Sequence, residues 1–175
     1  MVHPLFWITP VASLVALAVA FHFYSSMKKR DEGTFLMKKI AKAVREGAMS
    51  YLRQQYKVVG IVFVCLAVFF LVLAFFDLQN HWVPVAFLTG GFFSALAGYV
   101  GMKTATYASA RTAWAARQSL NDGLQVAFRS GAVMGLTVVG LALLDISAWY
   151  LILQAFTDLS GGQKLIFITT TMLTF

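Results

Sequence analysis

The chain has 175 residues, 59% hydrophobic and only 12% charged, with a formal net charge of +7. The charged share is about half that of a soluble domain, so an ordinary soluble core is excluded and lipid is the natural sink for the apolar surface. The positive charge does not mark a nucleic-acid binder: every basic residue except Lys164 lies in 28–57 or 103–129, between apolar runs.

The first apolar run, 5–24, is long enough to cross a bilayer, which needs about 20 apolar residues. Ala16, Ala18 and Ala20 imitate a signal-peptidase site, but no basic residue precedes the run and Lys28-Lys29-Arg30 follows it. That polarity predicts an uncleaved helix with its N-terminus outside. A connector follows over 27–57. Thr34 is placed to cap a helix in which Leu36, Ile40, Val44, Ala48, Tyr51, Leu52 and Tyr56 recur at spacings of three and four. This apolar face is expected to meet anionic headgroups or another helix, and the connector to run straight into a second span, 58–76. A short outer turn around Asp77 and His81 leads to Trp82, suited to the interface, and Pro84, suited to a first helical turn. The third span, 83–102, is rich in small residues (Gly90, Gly91, Ser94, Ala95, Gly98, Gly101), which permit close helix approach in lipid. Its alanine-rich continuation has no breaker before Asn121-Asp122-Gly123, so the helix is expected to reach about Gln118. At 1.5 Å per residue that is about 50 Å, against a hydrocarbon core of about 30 Å, and the excess must project from the membrane. The fourth helix is expected to re-enter from about Leu124, with its span at 130–156 and a G-x-x-x-G pair at Gly131 and Gly135. Residues 164–175 begin a fifth span of about 18 Å, too short to cross, so the chain reads as part of a larger membrane protein. The expectation is all-α: a polytopic membrane helix bundle of four complete spans and the start of a fifth, with basic cytoplasmic connectors at 27–57 and 103–129.

Candidate chemistry is sparse. Asp145 is the only acid within an expected span. It reads either as an ion-path carboxylate or, the favoured reading, as a structural acid bonded to a polar group on a neighbouring helix. Arg111, Arg117 and Arg129 are candidates for holding phosphate, but orientation signal plus inter-helix ion pairs explains them better. Gly161-Gly162-Gln163-Lys164 lacks the P-loop spacing. His3, His22 and His81 are scattered, and Cys65 reads as a small apolar side chain. Among five Asp and two Glu, only Asp31 and Glu32 are adjacent, which cannot build a magnesium centre for phosphoanhydride hydrolysis. No catalytic, substrate-binding or metal-binding residue is assigned.

Three stretches carry a family resemblance. They are Val44-Arg-Glu-Gly-Ala-Met-Ser-Tyr-Leu-Arg-Gln-Gln-Tyr-Lys-Val-Val59; a block containing Gly101-Met-Lys-Thr-Ala-Thr106, Ala110-Arg-Thr-Ala113, Ser119-Leu-Asn121 and Val126-Ala-Phe-Arg-Ser-Gly131; and Ile168-Thr-Thr-Thr-Met-Leu-Thr-Phe175. Together they resemble the membrane-bound, ion-translocating pyrophosphatases, in order along essentially the whole chain. Leu144-Asp-Ile-Ser147 and the 168–175 run look most like the potassium-stimulated, sodium-pumping bacterial branch. The resemblance implies a homodimer with helices in two concentric rings, in a multi-pass bacterial inner membrane protein. It implies Mg2+-dependent pyrophosphate hydrolysis coupled to outward Na+ transport, with K+ as a possible activator. H+ transport is the alternative within the family. These helices would belong to the outer ring, and the family's Asp-rich pyrophosphate motif would lie beyond Phe175. The segment alone is therefore expected to be inactive. From another class, a small membrane anchor or assembly protein, or a small channel, remains open.

Overall fold

The structure, a computed structural model, describes residues 4–76, 78 and 82–156. Within them a 3-10 turn, Pro4–Trp7, precedes four helices: α1 (Ile8–Lys28), α2 (Phe35–Phe75), α3 (Val83–Gln118) and α4 (Leu120–Phe156). All four are long and apolar enough to cross a membrane, and no strand occurs among the described residues. The protein is an all-helical, multi-pass membrane protein. The outer loop before Trp82 and the residues after Phe156, including Asp77, His81, Asp158, Gly161, Lys164 and the start of the expected fifth span, lie largely or wholly outside the described residues, as does His3.

At 1.5 Å per residue, α1 is about 31 Å long, close to one bilayer, whereas α2 is about 61 Å, α3 about 54 Å and α4 about 55 Å. The three long helices exceed one crossing by about 25–30 Å each. Local chemistry sets their ends. Thr34, extended at φ −65° and ψ 163°, caps α2 by accepting from the Met37 N–H at 3.4 Å. Pro84 occupies the first turn of α3, where a missing N–H costs nothing. Pro10 sits equally harmlessly in the first turn of α1, which runs on past Tyr24 to Lys28. The connector and second span form one unbroken helix.

The α3–α4 break differs from expectation. It falls at Ser119, whose backbone is extended at φ −155° and ψ 135°. Asn121, Asp122 and Gly123 instead form the first turn of α4, which starts at Leu120 and not near Leu124. The glycine serves packing, not a turn: a Cβ at Gly123 would lie 2.7 Å from the Ala116 Cβ. Close approach of the two helices is what excludes a side chain there.

The helices lie in a row of order α1–α4–α3–α2. α4 packs extensively on both α1 and α3, and α2 packs on α3. Small residues make the crossings. Gly140 of α4 admits Leu17 and the Ser13 carbonyl of α1, Gly91 of α3 admits the Phe63 ring of α2, and Gly101 faces Met134. Gly131 and Gly135 behave otherwise, since a Cβ at either would meet nothing within 4 Å. Packing at one end of α4 centres on Ala86, Trp149 and Leu153, and at the other on Met27, Ala108, Ala115 and Val126.

The apolar stripe read on α2 is only partly the face it uses. Leu52 is buried, Ala48 and Tyr56 are half-buried, and Ala41 and Arg45 outside the stripe are covered too, whereas Leu36, Ile40, Val44 and Tyr51 are exposed at 64%, 56%, 47% and 60%. The α3 surface opposite Arg45 presents Tyr107 and Arg111, so there the charged side of α2 turns inward and Leu36, Ile40 and Val44 are left outward. Cys65 is exposed on the membrane-length half of the same helix.

Candidate functional site

The densest polar cluster lies at the basic end of the bundle, where the α1–α2 loop meets α2 and α3. Gly33 makes the loop possible. Its φ of +91° is a left-handed conformation that L side chains rarely adopt, and a Cβ would lie 2.8 Å from Met37 Sδ and 2.9 Å from the Trp114 ring. The chain therefore turns tightly against α3 and delivers Glu32 between two arginines. Arg45 of α2 donates to it in a fork, Nη1 to Oε1 at 2.7 Å and Nη2 to Oε2 at 3.0 Å. Arg111 of α3 stands 2.9 Å from the same Oε1, and donates from Nε to the Arg30 carbonyl (2.9 Å) and from Nη1 to the Tyr107 carbonyl (2.6 Å). The Tyr107 ring carries three cations on its flanks, with Arg45 at 4.6 Å, Arg111 at 5.7 Å and the Lys28 ammonium at 6.0 Å from its centroid.

These charges hold one another ionised. The Arg45 hydrogen bonds pull the Glu32 carboxyl below its usual range, with burial opposing and the Arg111 and Arg45 charges assisting. In return Glu32 raises Arg45. Asp31 is also lowered, chiefly by its bond to Lys38 (3.0 Å), but that pair is open to solvent. A carboxylate already committed to two guanidiniums is a clasp between helices, not a reactive acid.

The three arginines considered for phosphate do not converge. Arg111 is committed to Glu32 and two backbone carbonyls, Arg117 lies over Trp114 at 5.5 Å, and Arg129 of α4 donates to Ser26 Oγ of α1 at 2.9 Å. The sequence reading missed Glu32 and Tyr107 as the hub. Three bases followed by Asp31-Glu32-Gly33 would have been its only signal.

Asp145 of α4 lies at the α3 interface, 8% exposed. Gly90 makes room for it, since a Cβ there would stand 3.5 Å from Oδ2, and the Thr89 side chain lies beside its carboxyl. The Thr89 hydroxyl in turn accepts from the Trp149 indole N–H at 2.7 Å. A cavity of about 450 Å³, lined mainly by apolar residues such as Phe93, Met134 and Val138, adjoins this cluster.

The described residues do not fit a magnesium centre. No group of three His, Cys, Asp or Glu side chains comes together among them. Glu32 and Asp31 are bonded to Arg45, Arg111 and Lys38, Glu46 stands 3.9 Å from Lys42, and Asp145 lies alone among carboxylates between α3 and α4. Magnesium needs several converging oxygens.

Comparison with known proteins supplies what the geometry does not. The family model described as "Inorganic H+ pyrophosphatase" matches residues 14–175. A putative K(+)-stimulated pyrophosphate-energized sodium pump of Bacteroides thetaiotaomicron is 65% identical over 98% of this chain and 24% of its own length. A K(+)-insensitive pyrophosphate-energized proton pump of Moorella thermoacetica is 46% identical, over 83% of this chain and 21% of its own. A K(+)-stimulated pyrophosphate-energized sodium pump of Thermotoga maritima is 41% identical, over 85% and 20%. The chain thus spans less than a quarter of the length of these relatives.

Proposed function

We propose, on the premise that this chain belongs to the inorganic H+ pyrophosphatase family, that it forms the N-terminal, outer-ring portion of an ion pump driven by pyrophosphate hydrolysis. The observation that carries this reading is the 65% identity, sustained over 98% of the chain, with a protein named as a pyrophosphate-energized sodium pump. In this reading the four helices are scaffold. The Glu32–Arg45–Arg111 clasp fixes the projecting parts of α2 and α3, and the outward stripe of Leu36, Ile40 and Val44 packs on further helices of the pump. Magnesium, pyrophosphate and a partner subunit are served by residues outside these 175.

Sodium is the proposed ion and potassium the proposed activator, with proton transport the second reading. Identity over this segment does not sort the two ions by itself, because a proton pump at 46% outranks a sodium pump at 41%. The proposed topology has the N-terminus outside and the basic stretches 27–57 and 103–129 in the cytoplasm.

The test uses the whole gene product in inverted membrane vesicles. Pyrophosphate with Mg2+ should drive 22Na+ uptake that K+ stimulates and a protonophore does not abolish. Uptake collapsed by a protonophore would replace sodium by protons, and absence of pyrophosphate hydrolysis would overturn the family activity for this protein. Residues 1–175 alone should release no phosphate from pyrophosphate.

A further inference from the structure

Two adjoining hollows at the basic end of the membrane-length segments have complementary character. The first is a groove of about 360 Å³ between α1 and α3, whose walls include Leu17, Phe21 and Leu96, with Val133, Thr137 and Leu141 of α4 as its floor. It exists because α1 and α3 pack mainly on α4 and little on each other. Its surface is aliphatic even at the threonine, since the Thr137 hydroxyl donates to the Val133 carbonyl of its own helix at 2.7 Å. Toward the basic end the groove finishes at Tyr24, Tyr99 and Lys103, with the Lys103 ammonium 5.5 Å from the Tyr99 ring centroid. The second hollow, a cleft of about 670 Å³ that shares Tyr99 with the first, is lined by the apolar Met49 and Leu52 and by the cations Arg53 and Lys57 of α2. Tyr56 fixes α2 there by donating to the Ala95 carbonyl at 2.5 Å. The one acid lining the cleft, Glu46, stands 3.9 Å from Lys42.

Lys57 immediately precedes the second apolar run and Lys103 immediately follows the third, so hydropathy alone sets both at the membrane boundary. Tyr24 and Tyr99 mark the same level, where tyrosine rings favour the interface. An apolar slot on the hydrocarbon side, joined at a tyrosine to cations on the headgroup side, has the polarity of one lipid molecule. Basic pockets between membrane helices bind anionic headgroups in this way.

We propose that this slot is a specific site for a phospholipid of net negative headgroup, with an acyl chain in the α1–α3–α4 groove and the phosphate between Lys103, Lys57 and Arg53. Bound there, the lipid bridges α1 to α2, the two outer members of the row, which do not pack on each other extensively. The two halves are separable by mutation. Lys57 is exposed and Lys103 half-buried, so Lys57→Gln with Lys103→Gln removes charge without opening a core. Leu96, 39% exposed, is a groove wall where Leu96→Trp fills the slot and leaves every charge in place.

The whole gene product is purified in neutral detergent and titrated with dioleoylphosphatidylglycerol or dioleoylphosphatidylcholine, with bound lipid counted by native mass spectrometry. One phosphatidylglycerol should bind about tenfold or more tightly than phosphatidylcholine. The double Gln variant should lose most of that preference, and Leu96→Trp should weaken both lipids while far-UV circular dichroism stays unchanged. Equal affinity for the two lipids overturns the proposal. So does a Leu96→Trp variant that binds phosphatidylglycerol normally, or displacement of the lipid by inorganic phosphate, which would make the cations a plain anion site. Should the double Gln variant fail to fold, the lipid preference and Leu96→Trp still decide the matter.

Discussion

Glu32→Gln tests whether the basic end is held by the clasp. The substitution keeps the side chain's shape and removes one negative charge from between two guanidiniums. In the folded protein the Arg111 side chain is 8% exposed and that of Arg45 19%, both within 2.9 Å of the same carboxylate oxygen. Removing one partner of a fully buried pair costs about 3–5 kcal/mol, because the surviving charge stays desolvated. Here two cations survive, but both ends of the Glu32–Arg45 pair keep some water, which screens part of the loss. Weighing the two gives a destabilisation of about 2–3 kcal/mol. The measurement is a urea titration of the chain in neutral detergent, followed by tryptophan fluorescence, with the midpoint compared at equal slope. A pH series sharpens it. Since the folded protein holds the Glu32 carboxyl below its ordinary value, its stabilisation is fully present above the unfolded value of about 4.3 and is lost as pH falls through the lower folded one. The wild type should thus be level from neutrality to about pH 5 and weaken below, while Glu32→Gln should be weaker throughout and shallower in acid. Asp31 adds little to that slope, because its pair with Lys38 is exposed. A loss under about 0.5 kcal/mol, the range of an ordinary surface substitution, would refute the clasp. An unchanged acid slope in the variant would do the same.

Three further outcomes follow from backbone geometry and charge. Gly91→Ala places a Cβ about where the Phe63 ring now stands, and that ring is stacked on Phe87 at 4.5 Å, so α2 must shift from α3 at a cost of about 1–3 kcal/mol in the same titration. Gly131→Ala is its control, meeting nothing within 4 Å, and should be neutral or slightly stabilising in this chain. Gly33→Ala combines a left-handed φ with a collision against Trp114 and should cost about 1–3 kcal/mol, read as a lower thermal midpoint. With Cys65 replaced by Ala, a cysteine at Gln79 should react with an impermeant maleimide added outside intact cells and one at Ser109 should not; the reverse pattern would invert the proposed topology.

Helix existence and length were legible because they depend on local terms that sequence carries. Thr34 in capping position, Pro84 in a first turn and the alanines of 105–116 place α2 and α3 within a residue or so of where they lie. Rotation about the helix axis was legible only in part. Of the stripe read on α2, Leu52 is buried and Tyr56 bonds to α3, whereas Leu36, Ile40 and Val44 face outward, because the charged Arg45 is drawn to Glu32 and Arg111 and turns its own side of the helix inward. Glycine was ambiguous for a related reason. The small-residue run of α3 pointed to Gly91 and Gly101, where contacts do form, but the G-x-x-x-G spacing of Gly131 and Gly135 marks no contact, and the crossings at Gly123 and Gly140 are identified only by the partner helix. The clasp was hidden by distance along the chain, with Arg111 bonded to Arg30 across 81 residues.

The basic residues carry two tasks that occur at different times. During insertion, on the proposed topology, what counts is how many Lys and Arg lie in a loop, and every one contributes alike. After packing they divide. Arg45 and Arg111 are drawn to Glu32, and Arg129 to Ser26 on α1, joining the α1–α2 loop and all four helices at one end. Lys57 and Arg53 remain exposed at the cleft that borders Tyr99. Arginine takes the inward positions because a planar fork can satisfy a carboxylate and backbone carbonyls together, as Arg111 does. Lysine at Lys57 and Lys103 holds the boundary, where a compact charge on a flexible stem reaches a headgroup from the edge of an apolar groove. A lysine at Arg111 would serve insertion equally well and fail the clasp, so Arg111→Lys should leave topology intact while lowering stability.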